Sequence, residues 1–269
     1  MSRRIELLRL DYTFSVIIPI LIAIYLNDLN PFKHFDIIIG FIFLAITGNT
    51  WNDVADMKDP AEKETLERVK GYTPREIFTI GLASFIFGIT LLLRTCLKFP
   101  INGLFLTIII GMVLLYVKWL KPIPILNQIL LGASHVFLPY LMIKVDAEIL
   151  AMSDLEWFLM LTLLAFAVTG QFVHEVIDSD ALTKYFNLRQ CQIIIWVSSA
   201  TTLVLAILVS IISKEYYFFP FLFMPIGTMY TFRHPTKSKK GVKDVGILIG
   251  NFLLLYFICL ITIQMLEVI

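Results

Sequence analysis

The chain has 269 residues, of which 58% are hydrophobic and only 16% charged, with a formal net charge of +1 and a mean hydropathy of +0.82. Such a composition excludes a soluble globular domain of this size, so the solvent for most of the chain is lipid. Cys96, Cys191 and Cys259 are scattered, which suggests neither a disulfide framework nor a zinc site, and no nucleic-acid-binding motif is visible.

A bilayer core of roughly 30 Å needs about 20 apolar residues per helix. Runs of that kind lie near 12–29, 35–52, 76–95, 101–119, 124–144, 155–174, 191–213, 216–232 and 244–266. They predict an all-α membrane protein, a bundle of about nine transmembrane helices forming a single domain over 1–269. The first run follows Arg3 and Arg4 as a signal peptide's would, but no small-residue cleavage site follows it, so it is read as retained. The eighth is the shortest and contains Pro220 and Pro225. With a cytoplasmic N-terminus, seventeen Lys and Arg fall in the inside segments and five outside, the bias expected of an integral, multi-pass protein in that orientation. If the cell is prokaryotic this is the cell membrane. The basic segment from Arg233 to Lys243 reads as a topology anchor.

The second run leads into the longest polar stretch, Asn49 to Asp59, which continues through Lys63 and Arg68 to Arg75. If the helix extends that far, Asn52, Asp56 and Asp59 stand at i, i+4 and i+7, within an arc of about 60°. Oxygen groups so crowded repel unless a cation sits among them, and hard oxygen ligands suit Mg²⁺ shared with a substrate phosphate. The competing reading is a solvated loop. Between the fourth and fifth runs, Tyr116 to Asn127 is broken by Pro122 and Pro124, leaving Lys121 at the membrane surface. A Lys there can meet a phosphate, or simply snorkel. After the sixth run, Gln171, His174, Glu175 and Asp178 share a helical arc of about 100°. Asp180 joins them only if the helix ends near Asp178; the alternative is an ordinary helix end with His174 bonded to Asp178. Parity of crossings puts all three segments on one side. Ser134, His135, Tyr140 and Asn251 are polar at membrane depth, where interhelical hydrogen bonds are expected.

Carboxylates and cations above a hydrophobic bundle suit a metal-bound polyphosphate head on a long apolar tail. On these residues the chain resembles the UbiA superfamily of intramembrane prenyltransferases: a first motif of the NDxxDxxxD type at Asn52 to Asp59, a Tyr-x-x-x-Leu-Lys turn at Tyr116 to Lys121 with Asn127 following, and a second acidic motif at Glu175 to Asp180. Asp59 comes one residue early, with Pro60 in the expected place; Leu182 stands where a further Asp is common, and Val69 follows Arg68 in place of Pro. The resemblance implies Mg²⁺, with Mn²⁺ as a substitute, held by Asn52, Asp56, Asp59, Glu175, Asp178 and Asp180. It implies a diphosphate held by Tyr116, Lys121, Arg68 and Lys184, with Asp56, Lys121 and Asp178 carrying the catalysis. The implied reaction is transfer of a prenyl group from a polyprenyl diphosphate to an aromatic or lipid-like acceptor within the membrane, releasing diphosphate. The irregular second motif leaves two alternatives, an intramembrane terpene cyclase or an inactive isoprenoid-binding member. A transporter is disfavoured because the charged residues lie at span ends.

Overall fold

The computed structural model describes residues 3–60, 62–178, 181–233 and 240–267, and among these the chain is helical without strands. Nine principal helices follow in order. These are α1 (Phe14–Leu26), α2 (Phe35–Asp56), α3 (Pro74–Lys98), α4 (Pro100–Leu120, whose last turn Tyr116–Leu120 is π-helical), α5 (Leu126–Asp146, π-helical over Ala133–Phe137), α6 (Asp154–Asp178), α7 (Leu188–Ser213), α8 (Pro220–Thr231) and α9 (Lys240–Glu267).

Among the described residues, seven helical stretches of 21 to 26 residues are long and apolar enough to cross a bilayer. The two others differ from the expected spans. α1 has 13 residues and α8 has 12, about 20 Å of rise or less. Pro19 and Pro225 lie inside them. In α1 every residue from Val16 to Ile24 is buried. It is therefore a central strut surrounded by protein, packed against α5 and α9.

Local sequence explains where helices begin. Pro74 occupies the first turn of α3, where its missing N–H is no loss, and Thr73 and Glu76 form a reciprocal capping box. Asn187 and Gln190 do the same for α7. Close packing of α2 on α3 depends on small residues. A methyl group on Gly40 would lie 2.8 Å from the Leu92 side chain, and one on Gly81 would lie 2.5 Å from Thr50 Oγ1. The main apolar core fills the bundle around α1, while a small cluster of Leu7, Val69 and Ile77 lies beneath the loop after α2.

Candidate active site

The first acidic motif lies at the C-terminal end of α2. Asn52 Nδ2 donates to Asp56 Oδ2 at 2.7 Å, so the i, i+4 pair shares a face as its spacing predicts. The helix stops at Asp56 and does not extend to Asp59. The next amides tighten into short-range bonds, with the Asp59 N–H reaching the Asp56 carbonyl at 2.9 Å. Pro60 disfavours helical geometry at Asp59, which accounts for the stop. Asp59 is exposed in the turn that follows, so its place near the motif is set by the turn rather than by an i+7 helical position.

Lys121 reaches across to this motif. Its Nζ donates to Asp56 Oδ1 at 2.5 Å and to Glu62 Oε1 at 3.2 Å. Burial alone would lower the ammonium's pKa, but the hydrogen bond and charge of Asp56, reinforced by Glu62 and Tyr116, raise it above the ordinary lysine value. Lys121 is thus a fixed cation. Its backbone closes the π turn, donating to the Tyr116 carbonyl at 3.0 Å. Four residues later Ile125 has φ +72 and ψ −52, a strained conformation for a β-branched residue. Asn127 Nδ2, donating to the Lys121 carbonyl at 2.9 Å, helps to hold this turn shut.

The second acidic segment divides. His174 Nδ1 and Asp178 Oδ2 pair at 2.7 Å on the last turn of α6. Glu175, at the other edge of the same arc, is buried beside Phe172 and Val176. It accepts from Asn127 Nδ2 at 2.8 Å, Gln128 Nε2 at 2.6 Å and the Leu182 N–H at 2.9 Å. Lys184 is exposed on the short helix Ala181–Tyr185. Asp180 and parts of the basic segment, including Lys237 and Lys239, lie outside the described residues.

The structure therefore gathers Asn52, Asp56, Lys121 and Glu62 directly, joins Glu175 to the Lys121 turn through Asn127, and places Asp178 with His174. Arg68 is engaged elsewhere. It forms a two-pronged pair with Asp53, Nε to Oδ2 at 3.1 Å and NH2 to Oδ1 at 2.7 Å, and Arg9 NH1 approaches the same carboxylate at 3.4 Å. Asp53 is fully buried, so both arginines serve to neutralise it and to fasten the N-terminal segment and the loop to α2. Sequence reading missed Asp53, Glu62 and Gln128. Asp53 had a signal, since adjacent helical positions face about 100° apart and the residue beside Asn52 must point elsewhere. Glu62 and Gln128 had none, because loop residues and a lone amide carry no periodicity.

The four polar residues expected at membrane depth are hydrogen-bonded. Tyr140 Oη donates to Glu156 at 2.5 Å and Asn251 Nδ2 to the Asp11 carbonyl at 2.8 Å, while Ser134 and His135 bond the Leu131 carbonyl one turn earlier in α5, within the helix rather than between helices.

A family model described as the UbiA prenyltransferase family matches residues 16–255. No curated protein matches the chain. Among solved structures, a UbiA homolog from Archaeoglobus fulgidus bound to GPP and Mg²⁺ superposes with a TM-score of 0.71 at 14% identity, covering 97% of this chain and 100% of that one. A second structure of a UbiA homolog from that organism gives 0.69 at 13%, with the same coverage. At this identity the superposition establishes the common all-α membrane fold, and the family match over most of the sequence establishes descent. The chain belongs to the UbiA prenyltransferase family.

Proposed function

We propose that this protein transfers the prenyl group of a polyprenyl diphosphate to an aromatic or lipid-like acceptor within the membrane, releasing diphosphate. One observation carries the reading: Lys121 is held as a cation between Asp56 and Glu62, beside Asn52, at one end of a bundle with a large apolar core. That arrangement suits a charged head with an apolar tail. The relative from Archaeoglobus fulgidus, solved with GPP and Mg²⁺, supports the same substrate class.

The donors present fit Mg²⁺. Asn52 Oδ1 is buried without a hydrogen-bond partner among the described residues, and it adjoins the Asp56 carboxylate. Among the described residues no three His, Cys, Asp or Glu converge. A small all-oxygen set matches an ion that keeps waters and shares its remaining positions with substrate phosphates. Asn52 and Asp56 would hold it, with Asp59, Asp178 and Asp180 as further candidates, and Mn²⁺ favours similar hard ligands. Bound there, the ion would offset charge developing on the departing diphosphate.

The chain's own residues do the rest. Lys121 turns from Asp56 to a diphosphate oxygen and stabilises the leaving group as the allylic C–O bond ionises. Glu62, its second partner, keeps the ammonium oriented. Tyr116 anchors the turn through its carbonyl. Lys184, exposed nearby in sequence to the second motif, supplies a further positive charge. The apolar walls exclude water from the carbocation until an acceptor carbon or hydroxyl attacks it and loses a proton. The test is to supply membranes containing the protein with labelled prenyl diphosphates and a panel of aromatic and lipid acceptors, and to identify products by mass spectrometry. Diphosphate release without a prenylated acceptor, accompanied by a cyclised hydrocarbon, would replace transfer with cyclisation.

Two further results are expected. The site should face the cytoplasm, as the Lys and Arg asymmetry indicates. In a protein lacking its own cysteines, Lys58→Cys and Tyr185→Cys should react with an impermeant reagent from the cytoplasmic side and Lys98→Cys from the other. Labelling of Lys58→Cys and Tyr185→Cys from opposite faces would end the single-site reading. In the second motif, Asp178→Asn should raise the Mg²⁺ and prenyl diphosphate concentrations needed for half-maximal rate more than Asp180→Asn does. The reason is that Asp178 terminates α6, oriented by His174. The opposite ranking would transfer the role to Asp180.

A further inference from the structure

We propose that Glu175 is a positioning residue for Lys121, acting through Asn127, and does not ligate the metal; the proposal rests on the reading of Lys121 as the diphosphate-binding cation. The argument begins with burial. Glu175 is only 7% exposed, and a buried carboxylate requires hydrogen-bond donors or a cation. Among the described residues it accepts from three donors in fixed places. Oε1 accepts from Asn127 and Gln128, both in the first turn of α5, and Oε2 accepts from the N–H of Leu182 in the first turn of the helix Ala181–Tyr185. Those three bonds use most of the acceptor sites a carboxylate offers.

The position also favours negative charge. Glu175 meets the side chains of the first turn of α5, at the positive end of that helix's dipole, which favours a negative charge there.

From Glu175 the connection runs on to the cation. The Asn127 amide nitrogen has two hydrogens; one meets Glu175 Oε1 and the other meets the Lys121 carbonyl at 2.9 Å. The segment between them contains Pro122, Pro124 and the strained Ile125, a conformation that persists only if its surroundings over-determine it. Glu175 fixes the Asn127 amide, Asn127 fixes the Lys121 carbonyl, and the Lys121 side chain is thereby aimed at Asp56. The second acidic segment then acts on the site through backbone geometry.

Lys121 reactivity provides a readout independent of turnover. In detergent-solubilised full-length protein, modification of Lys121 by an amine-reactive reagent is measured by mass spectrometry. Binding of an unreactive prenyl thiodiphosphate is measured across a Mg²⁺ titration. With Glu175→Ala or Asn127→Leu, Lys121 labelling should rise several-fold. Analogue binding should weaken by about tenfold to a hundredfold, the loss expected for hydrogen bonds to a charged group. Half-saturating Mg²⁺ should stay within about twofold, and the double variant should be no worse than the worse single one, as residues in one chain of contacts behave. A tenfold rise in half-saturating Mg²⁺ in Glu175→Ala with Lys121 labelling unchanged would make Glu175 a metal ligand and overturn the proposal. Asn127→Leu carries the same test if Glu175→Ala does not accumulate, and unchanged labelling there would also overturn it. If the unsubstituted protein binds no analogue, the functional reading fails, while Lys121 labelling still decides the positioning.

Discussion

Asp56→Ala is expected to slow prenyl diphosphate cleavage by roughly 10²-fold or more in a protein that still folds. Asp56 is where the first motif and the cation meet, accepting from Asn52 at 2.7 Å and from Lys121 at 2.5 Å. Its loss would remove a metal-holding carboxylate and leave Lys121 without its nearer counter-charge. Removing one electrostatic contact to a transition state costs roughly 10²-fold to 10³-fold in rate, and Asp56 supports two such contacts. Lys121→Ala should also be impaired.

A pH signature accompanies the loss. In the intact site Asp56 and Glu62 raise the Lys121 pKa against the effect of burial. Lys121 therefore stays protonated across and above the physiological range. In Asp56→Ala, burial remains while the main opposing influence is gone, so the pKa must fall and residual activity should decline at lower pH on the alkaline side. The measurement is diphosphate release at saturating Mg²⁺ as a function of pH, alongside gel filtration in detergent. Unchanged turnover in a monodisperse Asp56→Ala protein would rule out the assigned role.

The largest loss of stability is expected at the opposite end of the bundle. Lys144 is 2% exposed, and its Nζ donates to Glu156 Oε1 at 2.6 Å and Asn27 Oδ1 at 3.1 Å. Glu156 also accepts from Tyr140 at 2.5 Å and from the Ser153 N–H at 2.7 Å. This network joins the ends of α1, α5 and α6. Removing one partner of a buried ion pair leaves an uncompensated charge and costs about 3–5 kcal/mol, whereas removing both charges costs far less. Lys144→Met should therefore lower the thermal unfolding midpoint in detergent by several degrees, and adding Glu156→Gln should recover much of that loss. A double variant whose destabilisation equals the sum of the two single ones would show that the charges are not coupled.

Near the site, local chemistry was the reliable guide. The pairing of Asn52 with Asp56 follows from i, i+4 spacing, and the position of Lys121 at the membrane surface follows from the prolines that break the chain after α4, while its meeting with Asp56 comes from the approach of α4 to α2. Asp59 departed from its helical register because Pro60 acts on the residue before it. Glu175 departed for a different reason, since an arc of about 100° is wide enough for its two edges to face different neighbours.

The sequence by itself determined the class of solvent, the all-helical architecture and the common end at which three polar segments gather, because length, hydropathy and parity of crossings suffice for each. Only the tertiary structure decided that α1 is a central strut, that Arg68 and Arg9 serve the buried Asp53, and that Glu62 completes the Lys121 pair. In lipid nearly every helical face is apolar, so hydrophobic periodicity does not distinguish a face turned to the bilayer from one turned to protein. Which buried charge meets which partner is set by the approach of elements distant in the chain.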